Sequence, residues 1–302
     1  MRTTSASNAE RGYGIQKTEP LAVIRVRYGV VACFGLATPF VFPPHWRLLA
    51  LFLTSYFIRI FAMEGIYHRY FAHRAYKTSR WGQFLLGLIG TQSGQRGPLF
   101  WASRHRVHHQ TVDTKDDPHS PVANSVAFSH AGWLLSPAYI DTDLDKVRDF
   151  AQFPELVWLN KYHWIFLYAG ALGLFLAGHY GLFGIQISDW AAVFWGFFLP
   201  IALALQTTSL VNSIGHLKRL PGGYRRFDTP DGSTNRPLLA LLTVGAGWHN
   251  NHHRYAATAR AGFAWYEVDI AYYVIKAMAA LRLITEVRSK LPEDVRSEGH
   301  LL

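Results

Sequence analysis

An all-α membrane protein is the fold class that this sequence predicts, with four transmembrane helices carrying a helical cap, and three observations predict it. Half of the 302 residues are hydrophobic, and they arrive in largely uncharged blocks of about 20 residues, the length that crosses a hydrocarbon layer about 30 Å thick. Four short histidine-rich motifs all fall on the same side of those blocks. Of the 30 lysines and arginines, 28 lie on that side too, which makes it cytoplasmic by the positive-inside rule. A soluble helical bundle with a large core is the alternative, and the length of the apolar blocks argues against it.

Residues 1–27 read as a flexible tail, polar and mixed in charge up to Glu19, with neither the apolar core nor the small-residue cleavage site of a signal peptide. Residues 28–67 form a first transmembrane hairpin. No charge occurs between Tyr28 and Trp46, residues 30–42 are strongly apolar, and Pro39, Pro43 and Pro44 force the chain back. The second span, residues 48–67, contains Arg59 and Glu64, which lipid would penalise unless they face inward. It delivers His68 at its exit. Residues 68–161 make the first part of the cap. Within them residues 81–101 are moderately apolar but carry Gln83, Gln92, Ser93, Gln95 and Arg96, which suits an interfacial segment and not a crossing.

Residues 162–216 form a second hairpin, with spans at 162–183 and 190–211, a tight turn at 184–189, and Trp164, Tyr180 and Trp190 near the ends as an aromatic belt. Residues 217–302 complete the cap and end in a helix. The aromatic-rich run 265–283 reads as cap packing or an interfacial helix. This arrangement places both termini and all four histidine motifs on the cytoplasmic face, in a bacterial inner membrane.

Composition narrows the chemistry. The single cysteine, Cys33, excludes a disulfide framework, thiolate-held zinc and iron–sulfur clusters. The net charge of +10 comes with no nucleic-acid recognition motif, and a basic surface that meets anionic headgroups or an anionic substrate accounts for it. No nucleic-acid partner is expected.

His249, His252 and His253 stand at i, i+3 and i+4, on one face of a helical turn where one metal could use all three. His105, His108 and His109 repeat that spacing. His68 and His73 form a further pair, and Asn212 and His216 place an amide and an imidazole at i and i+4. These motifs hold nine of the fifteen histidines. A lone histidine is ordinarily a surface or hydrogen-bonded core residue, but two copies of His-x-x-His-His beside a third pair point to metal. Two metals suit nine histidines better than one four-coordinate zinc does. Two iron ions are the expectation, with zinc or copper as rival identities. Unactivated methylenes yield only to a strong oxidant, which iron and dioxygen supply when electrons arrive from outside. At a membrane surface the substrate would be a lipid chain.

The motifs His-x4-His, His-x2-His-His and His-x2-His-His, with Asn-x3-His after the last span, resemble those of the integral-membrane fatty-acyl desaturases. The resemblance is to the acyl-CoA delta-9, stearoyl-CoA desaturase-like branch and its bacterial members. It extends to Gly97-Pro98-Leu99-Phe100-Trp101, Asp117-Pro118-His119-Ser120-Pro121, Phe128-Ser129-His130-Ala131-Gly132-Trp133 and Trp265-Tyr266-Glu267-Val268-Asp269. It implies four spans with a cytosolic cap, and a di-iron centre held by His68, His73, His105, His108, His109, His216, His249, His252 and His253, with Asn212 acting through water. Which histidine serves which iron stays open. Two departures concern the surroundings of the ligands: Gly245-Ala246-Gly247 stands where many relatives have Gly-Glu-Gly, and Ser209 where a Trp is common.

The activity so implied is an oxygen-dependent acyl-CoA desaturase that introduces a cis double bond, expected at delta-9. No fused haem or flavin module is visible, so electrons come from a separate donor of the ferredoxin, rubredoxin or cytochrome type with its reductase. A lipid hydroxylase with the same iron site is one alternative; a non-catalytic metal or lipid carrier is another, though carriers place ionisable residues along a midmembrane path. Arg96, Arg104 and Arg106 are candidates for the phosphates of CoA or another acyl carrier. Tyr56 and Ile60, at i and i+4 on the second span, lie roughly 18 and 12 Å before His68 along an α-helix. By the resemblance they close the far end of the substrate tunnel and favour chains of about sixteen carbons over eighteen, with core packing as their alternative role. His119 and His130 are expected to hold the cap by hydrogen bonds.

Overall fold

The computed structural model describes residues 12–182, 187–290 and 295. Residues 1–11 of the expected tail, residues 183–186 at the end of the expected third span and the start of the turn, and the end of the chain including His300 lie outside the described residues. Among the described residues the elements are helices apart from one two-residue strand pairing, β1 (Ile15–Gln16) antiparallel to β2 (Thr142–Asp143), and isolated bridges such as Tyr224 to Asn235. That pairing corrects the flexible tail: from Tyr13 on the chain is anchored, its backbone N–H donating to Asp145 Oδ1 at 2.9 Å. The backbone donors of an isolated polar segment have no partner in the sequence, but the loop at 142–145 supplies them.

Helix α1 (Leu21–Val41) starts earlier than the first charge-free residue, so Arg25 and Arg27 ride on its first turns. Arg27 is neutralised there by Glu19, Nη1 to Oε2 at 2.8 Å. Helix α2 (Trp46–Phe61) continues without a break into a π-helix, Ala62–Ala72. His68 therefore lies inside the helix and not at its exit. Among the described residues, three helices are long and apolar enough to cross a membrane: Leu21–Val41, Trp46–Ala72 and Asp189–His216. The remaining expected span appears as His163–His179, equally apolar but 17 residues long.

Close packing of these helices is set by small residues and by a second π-helical turn. A Cβ on Gly35 of α1 would come within 2.5 Å of the Ala202 Cβ, so glycine is what lets α1 approach the helix Leu199–Ser213. The π-turn Phe194–Phe198 shifts its hydrogen-bond register, and the Gly196 carbonyl accepts from Ser55 Oγ at 2.5 Å and from Arg59 Nη2 at 3.2 Å. Arg59, buried in the second span, also lies over the Phe197 ring at 5.1 Å. Its charge faces inward.

Helix α3 (Arg80–Thr91) has 12 residues, begins with Ser79 Oγ accepting the Gly82 N–H at 3.0 Å, and leaves Trp81, Leu85 and Ile89 exposed on one stripe. It is too short to cross a layer about 30 Å thick. Helix α4 (Pro98–Thr111) starts at a Gly97-Pro98 junction, where proline needs no N–H partner. The Asn160 side chain accepts the Phe100 N–H at 2.8 Å and leaves no room for a Cβ on Gly97. Beneath the histidines, Tyr67 and Phe71 of the π-helix, Leu86 of α3, Leu99 of α4, Val147 and Leu156 form one buried core.

Candidate metal centre

The local winding of each helix decides where its histidines go. In a π-helix, with roughly 4.4 residues per turn, residues five apart come round to nearly the same face. His68 and His73 are such a pair, with ring centroids 4.8 Å apart and the His73 N–H bonded to the His68 carbonyl at 3.1 Å. On α4, His105 and His109 stand at i and i+4 and point together, while His108 turns to the other side. The short helix His249–Arg254 divides likewise, His249 and His253 from His252.

Two buried groups result. The ligand nitrogens of His68, His73, His105, His109 and His252 lie within 4.8 Å of one another, as do those of His108, His216, His249 and His253. All nine predicted histidines are brought together. The expectation that one metal could take all three histidines of a His-x-x-His-His box is corrected: each box gives its i, i+4 pair to one group and its middle histidine to the other, because residues three and four apart on a helix are rotated in opposite senses about its axis.

The chemistry of the nitrogens tests whether a metal fits. Nδ1 of His108 donates to Asp117 at 3.0 Å and Nδ1 of His253 to Asp231 at 3.0 Å, so Nε2 of each carries a lone pair. Those two lone pairs face each other at 3.4 Å. Burial, and after it the neighbouring charges, His119 for His108 and His249 for His253, pull both imidazoles well below their ordinary pKa, so no proton bridges them. A cation resolves the contact. In the other group the Nε2 pairs His68–His252, His73–His105, His105–His109 and His109–His252 are 2.9, 2.9, 3.0 and 3.0 Å apart. Ligands about 2.1 Å from one ion and at right angles to each other are about 3.0 Å apart. The residues fit a metal in both places.

Burial, helped by the surrounding imidazoles, also holds His73, His105, His249 and His252 well below the ordinary range and His109 down at about 3. Neutral rings with free lone pairs are the ligand form. Four carboxylates surround them: Glu64 bonds His68 Nδ1 at 2.7 Å, Asp113 bonds His216 Nδ1 at 3.1 Å, and Asp117 and Asp231 are those already named. Against burial, which raises it, the bond from His253 keeps Asp231 below the usual carboxylate range; His216 does the same for Asp113.

Sequence reasoning did not assign these four acids. Glu64 stands one α-turn before His68 and Asp113 and Asp117 follow the second box directly, which is a usable signal; Asp231 has none. It also passed over Trp101, which stacks on His105 at 4.6 Å and is held by Gln95 Oε1 at 3.1 Å. Asn250 and Asn251, lodged between ligands, clamp the third box: Asn251 Nδ2 donates to Glu267 Oε2 at 3.0 Å, and Asn250 Oδ1 accepts the Phe227 N–H at 2.8 Å.

A cavity opens onto both groups, lined by Ile60, Met63, Thr208, Val211, Thr243 and Ala246 together with His68, His105, His108, His249 and Asn212. Asn212 thus faces the centre. Ile60 reaches the cavity, and Tyr56 packs behind it with its hydroxyl donating to the Leu242 carbonyl at 2.9 Å. Arg96, Arg104 and Arg106 turn inward to backbone carbonyls, of Ile140, Asp141 and Phe71 respectively. His130 bonds Ser213 Oγ and Gln206 Oε1 at 3.1 and 2.9 Å. His119 stacks beside His108, ring centroids 4.4 Å apart.

Residues 16–287 match the sequence model of the family described as “Fatty acid desaturase”. The chain belongs to the fatty acid desaturase family. It is 34% identical over 276 residues, 89% of this chain and 90% of the other, to the “sn-2 palmitoyl-lipid 9-desaturase” of Nostoc sp. (strain 36). It is 38% identical over 224 residues, 74% of this chain and 76% of the other, to the “sn-1 stearoyl-lipid 9-desaturase” of Anabaena variabilis. An “Acyl-CoA 5-desaturase” of Anemone leveillei is 33% identical over 267 residues, 86% of this chain and 76% of the other. The histidine groups of this chain are accordingly suited to the iron on which the family generally depends.

Proposed function

We propose that this chain introduces a cis double bond at carbon 9 of a saturated acyl chain, using two irons, one in each histidine group, with Asn212 completing the four-histidine site through a water. The observation that carries this is the facing pair of bare Nε2 atoms on His108 and His253, beside the five-histidine group. Iron in these sites supplies, with dioxygen and two external electrons, the power to oxidise an unactivated methylene pair. The chain's own residues do the rest. Ile60, Met63, Val211 and Ala246 seat the methylenes against the ligand rings, Glu64, Asp113, Asp117 and Asp231 fix the imidazole tautomers, and burial of all nine rings keeps bulk water from the reacting carbons.

The spans are read as four, with His163–His179 as the third, and residues 68–161 and 217–302 as a cap on the cytoplasmic side, where a separate redox protein delivers electrons. For the carrier, the inward-turned Arg96 and Arg104 remove the anticipated phosphate contacts of CoA, and the relatives from Nostoc and Anabaena are named for lipid-bound chains. The substrate is therefore a glycerolipid acyl chain, with acyl-CoA as the second reading. Expression in a host lacking desaturases, with mass spectrometry that locates double bonds in each lipid class, tests it. A delta-9 alkene appearing in glycerolipids while lipid synthesis is blocked fits. Products confined to acyl-CoA would select the second reading, and a hydroxy-acyl main product would overturn desaturation.

A further inference from the structure

Away from the histidine groups, several buried polar atoms of the described residues make no hydrogen bond within the protein, and three of them are Tyr28 Oη, Arg96 Nε and His163 Nε2. They come from α1, from the turn between α3 and α4, and from the start of the helix His163–His179. All three side chains line one small cavity, with Ile24, Arg27 and Leu167 as further walls. Buried polar atoms are rarely left without a partner, and three around one space point to a common one.

The hydrogen-bonding roles are fixed. Arg96 Nε–H can only donate. His163 Nδ1 lies 3.0 Å from the Asn160 carbonyl oxygen, which can only accept, so Nδ1 carries the hydrogen and Nε2 of the neutral ring accepts. The Tyr28 hydroxyl can do either. One donor, one acceptor and one group of either kind is the set that a single water molecule satisfies. An anion would suit Arg96 and Tyr28 but would meet the lone pair of His163. The cavity leaves about 10 Å³ for the centre of a water molecule, and one water needs about 10–15 Å³ by that measure. We propose that this cavity is a binding site for one structural water that bridges Tyr28, Arg96 and His163.

Such a water positions the metal centre indirectly. Arg96 has φ 71°, a left-handed conformation that a non-glycine residue keeps only when its surroundings hold it. Its carbonyl accepts from Tyr67 Oη at 2.8 Å, next to His68, and its guanidinium lies 3.6 Å over the Phe100 ring on α4. Completing the Arg96 partners fixes the turn from which the second histidine box starts.

A high-resolution map of the detergent-solubilised full chain should show one density peak within hydrogen-bond reach of all three atoms; a cavity without a peak overturns the proposal. The Tyr28→Phe variant gives an independent sign. With the water present its thermal midpoint falls by about 2–4 °C, because a satisfied hydrogen bond is lost. In a dry cavity the same change removes an orphan hydroxyl and leaves the midpoint unchanged or higher, which overturns it. The wild-type midpoint should be the same in chloride and in gluconate, and a bromide soak should give no anomalous peak at the site. A chloride-dependent midpoint or a bromide peak would replace the water by an anion.

Discussion

In the group formed by His108, His216, His249 and His253, three of the four rings donate Nδ1–H to a carboxylate, whereas among the described residues only His68 of the other five rings does so. The first group draws its members from three separate segments, and its acids do the aiming. Asp113 alone binds His216 and the Gly232 N–H, at 3.1 and 2.6 Å, tying the end of one helix to a loop. The second group takes two rings from the π-helix and two from one face of α4, where winding and the stacked Trp101 set the geometry. Equivalent ligand atoms can thus be oriented either by outer carboxylates or by helix pitch. The exception is His249, whose Nδ1 has no partner within the protein. It stands three residues after Ala246, at the departure from Gly-Glu-Gly.

The sharpest way to break this comparison is to remove one ligand from each group. His108→Ala and His252→Ala should each abolish product formation and lower iron from about two per chain to about one, with the protein still in the membrane. Elemental analysis and lipid profiling check this, and a variant keeping two irons and full turnover would refute the assignment of that ring. Next in size, Asp231→Asn and Asp117→Asn should weaken metal binding about 10–100-fold and empty the four-histidine group alone. Chelator titration should show one tight and one loosened iron; equal loosening of both would mean that the groups are not separately supported.

A smaller effect concerns pH. His109 is held at about 3 in the folded protein against an ordinary value of 6.5. Below about pH 6.5 the unfolded chain takes up protons that the folded chain refuses, so stability is lost as pH falls from there toward 3. The metal-free protein should accordingly melt at progressively lower temperature between pH 7.5 and 5, and bound iron should flatten that slope because the ligands are neutral when coordinated. A midpoint independent of pH in the metal-free protein would contradict the burial of these rings. The smallest expected change is in chain length. Ile60→Ala deepens the cavity by about a methylene or two and should shift product about twofold from sixteen- toward eighteen-carbon chains. An unchanged ratio with activity intact would place the tunnel end elsewhere.

Much of the site was legible because its residue types are chemically rare and locally spaced. Nine clustered histidines and an absence of thiolate chemistry identify a nitrogen-ligand metal centre without any fold, and apolar blocks identify membrane helices because lipid tolerates little else. The helical class and the inward placement of Arg59 and Glu64 followed from the same reasoning. Spacing could not reveal that His68 sits in a π-helix, since a π-turn shows no distinct residue pattern and is stabilised by what packs around it, here Tyr76 Oη on the Gly65 carbonyl at 2.9 Å and the wall of Leu86, Leu99 and Leu156. Nor could it divide each histidine box between the two groups. That division depends on which partner helix faces each side of α4 and of His249–Arg254, a property of the assembled fold. The acids illustrate the limit most plainly: Glu64 can be read four residues before His68, but Asp231 reaches His253 across a sequence separation of 22, and only tertiary packing, which gives a buried imidazole N–H a buried carboxylate to meet, decides that pairing.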